Sequence, residues 1–413
     1  MELKWSKPLS SIPLCGPGDG CTDNYMVNAA VISDDGRRAL AGTYYYPYKC
    51  TTRGQKTDGR FGTYAFDTTG TGTALWTDEY LGNQGVFAVA MSGDGLVAAS
   101  GGLLTGHEAS ALAQSRGMLR AYDLDSGRVL LNASTIQNRI TSLALSHDGG
   151  VLAAVSREKL LVYRRQGNGQ FDPTPLFAML DADSESVAMH RGGRWLVAID
   201  KSGAVSLVTI AADRLDVRKW RAKEVKGGGA PTGVFLHYAA IARGADAFAV
   251  CGDRFVYLLT PASLAAGHAI GRFASPVRAT IRFLALADDA SFLTASVTHD
   301  SPKECDDPNT VDPGVLVRLS LSPAGDGSLR TDWTLQLPFP PNSTSIDGAG
   351  RLATVATGYP NHRPAAFHLV DAATGQELDR FGTVDMNWPM QISRNGARII
   401  AGGDDNTLYC FTP

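Results

Sequence analysis

The chain has 413 residues, 44% of them hydrophobic, with 45 Gly and 20 Pro. Its 38 basic and 41 acidic side chains leave a net charge of −3, so the basic footprint of a nucleic-acid or membrane-surface binder is missing. No apolar run approaches the length of a membrane span.

The chain begins with MELKWSKPLSS, which is not a signal peptide. The default expectation is a cytoplasmic protein, with an exported mature form as the alternative. Cys15 and Cys21 bracket Gly-Pro-Gly-Asp-Gly, and a local disulfide is expected there if the protein is exported. The first hairpin is Val31–Gly42, VISDDGRRALAG. Two apolar runs flank a turn whose Gly accepts a positive φ.

The same hairpin returns at Met91–Gly101, Leu145–Ser156 and Met189–Asp200. Looser copies are Ile241–Gly252, Leu286–Val297, Ile346–Thr357 and Ile392–Gly403. The residues before the turns (Ser33, Ser92, Ser146, His190, Ala242, Ala287, Asp347 and Ser393) are 44 to 60 residues apart. The fullest copy, Val86 to Leu131, holds four short β runs separated by turn residues. That period and content predict the four-stranded blades of a β-propeller. We expect an all-β, eight-bladed β-propeller, with seven blades plus an irregular segment as the alternative. Residues 1–413 form a single domain, because blades share a continuous core.

Thr260-Pro261 followed by ASLAAG reads as a short helix, with Thr as N-cap and Gly267 as its stop. Cys251 and Cys410 fall in strand runs, as buried free thiols do. The last repeat has three strands, NWPMQIS, ARIIAGG and TLYCF. Residues 2–10 are expected to supply the missing outer strand and to leave no open edge.

Trp5, Trp76, Trp220 and Trp333 all fall in predicted fourth strands, whereas a WD-repeat Trp ends the third. The segment Ala65-Phe66-Asp67 to Leu75-Trp76 resembles the tryptophan-docking repeat of the quinoprotein-type (pyrroloquinoline-quinone-like) propellers, in the wider WD-repeat-like superfamily. Gly72 and Trp76 stand one residue further from Asp67 than that pattern has them. Ala121, Asp123 and Gly127 keep the register, with Leu131 in place of Trp; Asp371 and Gly375 keep it too. The resemblance implies the eight-bladed fold. Such propellers include dehydrogenases and non-enzymatic assembly factors. The vicinal Cys pair of the dehydrogenases is absent here, so the quinone is not carried over and no cofactor is assigned.

The second-to-third connections are minimal in repeats 3, 4 and 5. They are long at Tyr44–Arg60, Leu103–Gly117, Thr298–Gly314 and Gly358–Pro364, and all four protrude from one face. Loops on a rigid scaffold are where function concentrates. In that wall Tyr44, Tyr46, Tyr48, Lys49 and Arg53 form an aromatic, basic rim. His107-Glu108, His299-Asp300 and His362-Arg363 add polar groups. His107, His299, His362, Asp306 and Asp307 are the weak metal candidates; their spacing fits no ligand motif, and no metal is assigned. Asp23-Asn24-Tyr25, Arg139 and Asn387-Trp388 line the axial mouth on the same face. No nucleophile elbow, phosphate loop or Cys-x-x-Cys pair is present. The expected function is a non-catalytic binding or scaffold propeller, a monomer recognising a protein partner or small ligand on this face. The alternative is an enzyme (a lyase, cyclase or oxidoreductase) acting at the axial mouth.

Overall fold

A computed structural model describes residues 1–9, 23–47, 60–81, 83–105, 116–133, 135–224, 232–275, 279–299, 314–358 and 364–413. Among these, the strands make six four-stranded antiparallel sheets, one eight-stranded sheet and a two-stranded ladder. Each sequence repeat folds as one four-strand meander. The eight-stranded sheet is the first two repeats joined, Tyr44 and Tyr45 pairing with Gly85 and Gln84. A Cβ on Gly85 would stand 2.6 Å from the Tyr44 Cα, so this splice needs glycine. The last sheet takes its outer strand from the other end of the chain: Glu2–Pro8 pairs antiparallel with Thr407–Thr412.

The burial pattern follows the composition of the strands. Second and third strands such as Trp195–Asp200 and Phe255–Leu259 are apolar, apart from Asp200 at the end of the first, and buried on both faces. Fourth strands such as Leu215–Arg221 and Glu377–Val384 alternate, with charged residues outward. The helix spans Pro261–Ala265; the Thr260 hydroxyl accepts from the Ser263 N–H, and Gly267 takes φ +82° as the stop. Cys251 and Cys410 are buried free thiols.

The fourth-strand tryptophans lock neighbouring repeats together. Trp76 lies over Gly127 in the next repeat's turn and donates Nε1–H to the Leu124 carbonyl at 2.6 Å. Trp333 does the same over Gly375, donating to the Ala372 carbonyl at 3.0 Å. Trp5 covers Gly72, and Trp220 reaches the Gly267 carbonyl at 3.2 Å. This is the docking that the Asp–Gly–Trp spacing implied. Between the first two repeats, Asp78 also accepts from Arg120, Tyr80 and Tyr122 at 2.7–2.8 Å.

The turn serines are part of the hairpin. Ser33, Ser92 and Ser146 each donate to the Asp two residues on and accept a backbone N–H from the returning strand. Asp347 accepts the same N–H groups in repeat 7.

Candidate functional site

The first strand of every repeat lines one axial cavity of about 610 Å³. Six of these strands carry a β-bulge near their start. The ladder skips one residue at Asn28, Phe87, Glu185, Arg282 and Asn342, and skips Trp388 with Pro389. In repeats 3 and 5 the N–H groups of Thr141 and His237 bond the carbonyls of Val155 and Cys251, which already face the next residue. All eight residues line the cavity, and each stands five residues before its repeat's turn residue. A bulge inserts an unpaired residue and re-aims its side chain, a device concentrated at functional rims.

Three of the eight are structural. Asn28 donates to the Phe87 carbonyl at 3.2 Å, and Thr141 to the Ser184 carbonyl at 3.1 Å. Asn342 donates to the Gly358 and Asn387 carbonyls at 3.1 and 2.9 Å. Each ties its repeat to a neighbour. The other five carry the chemistry. Phe87 is flanked edge-on by Tyr44 (centroids 4.7 Å apart) and covered by the Arg139 guanidinium at 4.4 Å. Glu185 pairs with Lys201 at 3.0 Å. His237 packs on Phe235 at 4.7 Å, and burial depresses its pKa. Arg282 is exposed. Trp388 donates Nε1–H to Asp404 at 2.7 Å, and burial, with Asp385 and Asp405 beside it, pushes that carboxyl up to about 7.

The opposite end of the axis is different. A smaller chamber of about 300 Å³ continues from the first through Val187, Tyr238, Thr344 and Gln391. Backbone hydrogen bonds of 2.7–3.1 Å tie adjacent turns together, among them His147 N–H to Arg191 O and Asn395 N–H to Asp34 O. Ion pairs then reach between distant repeats: Arg243 in repeat 5 with Asp34 in repeat 1, and Arg394 with Asp288 at 2.6 Å. His147 Nδ1 lies 3.5 Å from Asp34, and Arg191 is 3.0 Å from His147 Nε2. All these side chains occupy the same turn position, one after the turn residue.

Several expected site residues sit elsewhere than the sequence reading had them. Asn387 was expected at the mouth as a ligand group. It is buried, and its amide is consumed by Thr383 (2.8 Å) and the Thr357 carbonyl (3.1 Å), so it is a structural residue. Tyr44 is half-buried and packs against Phe87. Trp388 lines the axial cavity, and Arg139 lines a smaller recess that shares Thr141, Glu185 and Lys201 with it. Asp23, Asn24 and Tyr25 fall in strand Asp23–Ile32 and Tyr46 in Arg38–Pro47, where Asn24 and Tyr46 are backbone partners in the ladder. His299 ends Phe292–His299. Tyr48, Lys49, Arg53, His107, Glu108, Asp300, Asp306, Asp307, His362, Arg363, Cys15 and Cys21 lie outside the described residues. Among the described residues no three His, Cys, Asp or Glu side chains converge as a metal site.

The sequence reading missed Phe87, Glu185, His237 and Arg282, whose only signal was their constant distance from the turn. It also missed Thr357, His368 and Glu377, a hydroxyl–imidazole–carboxylate line with contacts of 2.9 and 2.7 Å. Thr357 and His368 are fully buried inside repeat 7, where no substrate reaches them.

More than a thousand solved chains (1503) share this fold, too many for the fold alone to select a function. The fold is that of a WD40-type β-propeller. Sqt1 from Chaetomium thermophilum is 15% identical with a TM-score of 0.65, over 95% of this chain and 96% of that one. Sqt1 bound to the N-terminus of ribosomal protein L10 is 14% identical with a TM-score of 0.65, over 96% and 98%. The Cps50 (Swd1) β-propeller domain of Myceliophteria thermophila is 14% identical with a TM-score of 0.57, over 79% and 95%. No protein-family model and no curated protein sequence matches the chain. The tryptophans nonetheless stay in the fourth strands, as the quinoprotein-type pattern has them.

Proposed function

We propose that the protein is a non-catalytic binding propeller: one domain of eight blades, closed by Glu2–Pro8 as the outer strand of the last, and monomeric. It takes a segment of a protein partner at the axial mouth on the face of the long connections. The observation that carries this reading is the ring of bulge residues. Eight equivalent positions turn into one cavity, and the five not used for structure differ from one another, as Phe, Glu, His, Arg and Trp. A scaffold position would repeat; a recognition surface need not. The ion pairs that cross the turn end support entry from the other side. Sqt1, of similar fold, is bound to the N-terminus of another protein, and this chain is read as using its propeller for the same kind of task.

The test is selection of random displayed peptides on the immobilised full chain. Selected peptides should lose binding at least tenfold to Ser343→Trp, which fills the cavity at a hydroxyl with no hydrogen bond to lose. Phe87→Ala is the milder second variant. Peptides that bind both variants unchanged would place recognition elsewhere.

One observation favours the enzyme alternative, the Asp404 carboxyl pushed up to about 7 beside Trp388 at the mouth. An acid there would need a reacting partner within hydrogen-bond reach. The group that donates to it is the Trp388 indole N–H at 2.7 Å, which is not a reacting partner, and the binding reading is preferred.

A further inference from the structure

The mouth is uneven in charge. Beside the axial cavity lies a recess of about 340 Å³ between repeats 2, 3 and 4, sharing Thr141, Glu185 and Lys201 with it. Arg139, Arg157 and Lys201 line this recess, and Arg282 lines the cavity. The carboxylates in the two linings are Asp183 and Glu185. Among the described residues of the two linings that makes four cations against two carboxylates, with Asp404 and Asp405 set behind Trp388, in a chain whose net charge is −3.

Pairing sharpens the imbalance. Glu185 is taken by Lys201 at 3.0 Å. Arg139, Arg157 and Arg282 form no ion pair among the described residues. The Arg139 guanidinium carbon sits 4.4 Å over the Phe87 ring, a cation–π contact that holds the head group at the recess, where its N–H groups can meet a carboxylate in bidentate fashion. Arg157 takes φ +50° in the tight turn before Lys159–Arg164. Aromatic rings of Phe87, Phe235, Phe283 and Trp388 stand between these cations in the lining.

Resting on the partner-binding reading above, we propose that the segment taken at this mouth is an acidic, extended peptide with aromatic side chains between its carboxylates. The carboxylates meet Arg139, Arg157 and Arg282, and the rings stack on the mouth's own. A nucleic acid is also an anion, but its charges are continuous. Asp183 in the recess, and Asp404 and Asp405 beside Trp388, would each face a phosphate. Spaced carboxylates can avoid them.

The experiment measures fluorescence anisotropy of labelled probes against the full chain. The probes are fifteen-residue peptides, one alternating Glu, Asp and Phe, one Lys, Arg and Phe, one Ser, Asn and Phe, together with an oligothymidylate of the acidic peptide's charge. The acidic peptide should bind at least tenfold more tightly than the other three and weaken as salt rises. Arg282→Glu and Arg139→Glu should each cost about tenfold. Arg218→Glu, an exposed cation on the outer strand Leu215–Arg221, should leave binding unchanged. Equal binding of the neutral peptide, tighter binding of the oligothymidylate, or indifference to Arg282→Glu each overturns the proposal. The two readings separate cleanly. If displayed peptides lose binding to Ser343→Trp but show no acidic enrichment, the mouth stands as the recognition site and its acidic preference falls.

Discussion

At the scale of single residues, position decides role more than chemical type does. Asn342 and Asn387 are amides at the mouth end of repeats 7 and 8, yet both are spent on backbone carbonyls. Arg282 and Phe87, from the same bulge position, face the cavity. Asp404 gives a test by pH. Its folded pKa of about 7 lies above its ordinary 3.8, with Asp385 and Asp405 facing it and Trp388 donating to it. The folded state therefore holds this proton more tightly than the unfolded chain, and the group's contribution to stability falls as pH rises from about 4 to about 7. Asp404→Asn keeps the oxygen that accepts from Trp388. It should raise the melting temperature at pH 8 relative to the parent, with the gain vanishing near pH 4. A gain of equal size at both pH values would contradict the assignment. His368 gives a second test. His368→Ala removes the imidazole's contacts to Thr357 and Glu377 and opens a hole inside repeat 7, so it should cost about 3 kcal/mol in denaturant unfolding. A loss of ligand binding at unchanged stability would mean that the buried line is functional.

At the scale of elements, the outer strands are keyed by tryptophan on glycine. A Cβ at Gly127 would sit 2.7 Å from the Trp76 Cγ, and the residue's φ is +71°. Gly127→Ala must displace the indole and adopt a strained backbone, for about 2 kcal/mol or more. Gly70→Ala, with nothing within 4 Å of its new methyl, should change stability by less than about 0.5 kcal/mol. Equal unfolding midpoints for the two variants would contradict the docking. Much of this element-level design was legible. The Asp–Gly–Trp spacing and the turn dipeptides depend on local backbone geometry, which sequence encodes directly. So were the Thr260 cap and the burial of Cys251. The bulges were not legible, because a bulge is a mismatch between two strands and one strand read alone does not display it. The charges of Asp34, His147, Arg191, Arg243, Asp288 and Arg394 read as ordinary turn residues; only the closing of the repeats around an axis brings them together.

At the scale of the whole molecule, the proposed ring depends on one strand from the far end of the chain. Trp5 is 6% exposed, and its indole covers Gly72 in the first repeat. Removing Glu2–Pro8 deletes that docking and bares the edge Thr407–Thr412. Losing a buried Trp alone costs about 3–5 kcal/mol, enough to lower the melting temperature of a 413-residue domain by about 5 °C. An unchanged melting curve would contradict closure by this strand. The ion pairs at the turn end serve a different purpose. With Arg243 about half exposed, Arg243→Ala should cost less than about 1 kcal/mol. The molecule is thus read as a rigid ring with one recognising end, whose sequence repeats wherever it builds the ring and varies at one position per repeat, where it recognises. The most direct measurement is hydrogen–deuterium exchange of the full chain with and without a selected peptide. Protection should appear at the strand starts around Phe87, Thr141, His237 and Arg282 and leave the turns at Gly95, Gly149 and Gly193 unchanged. Protection confined to those turns would contradict recognition at the bulge ring.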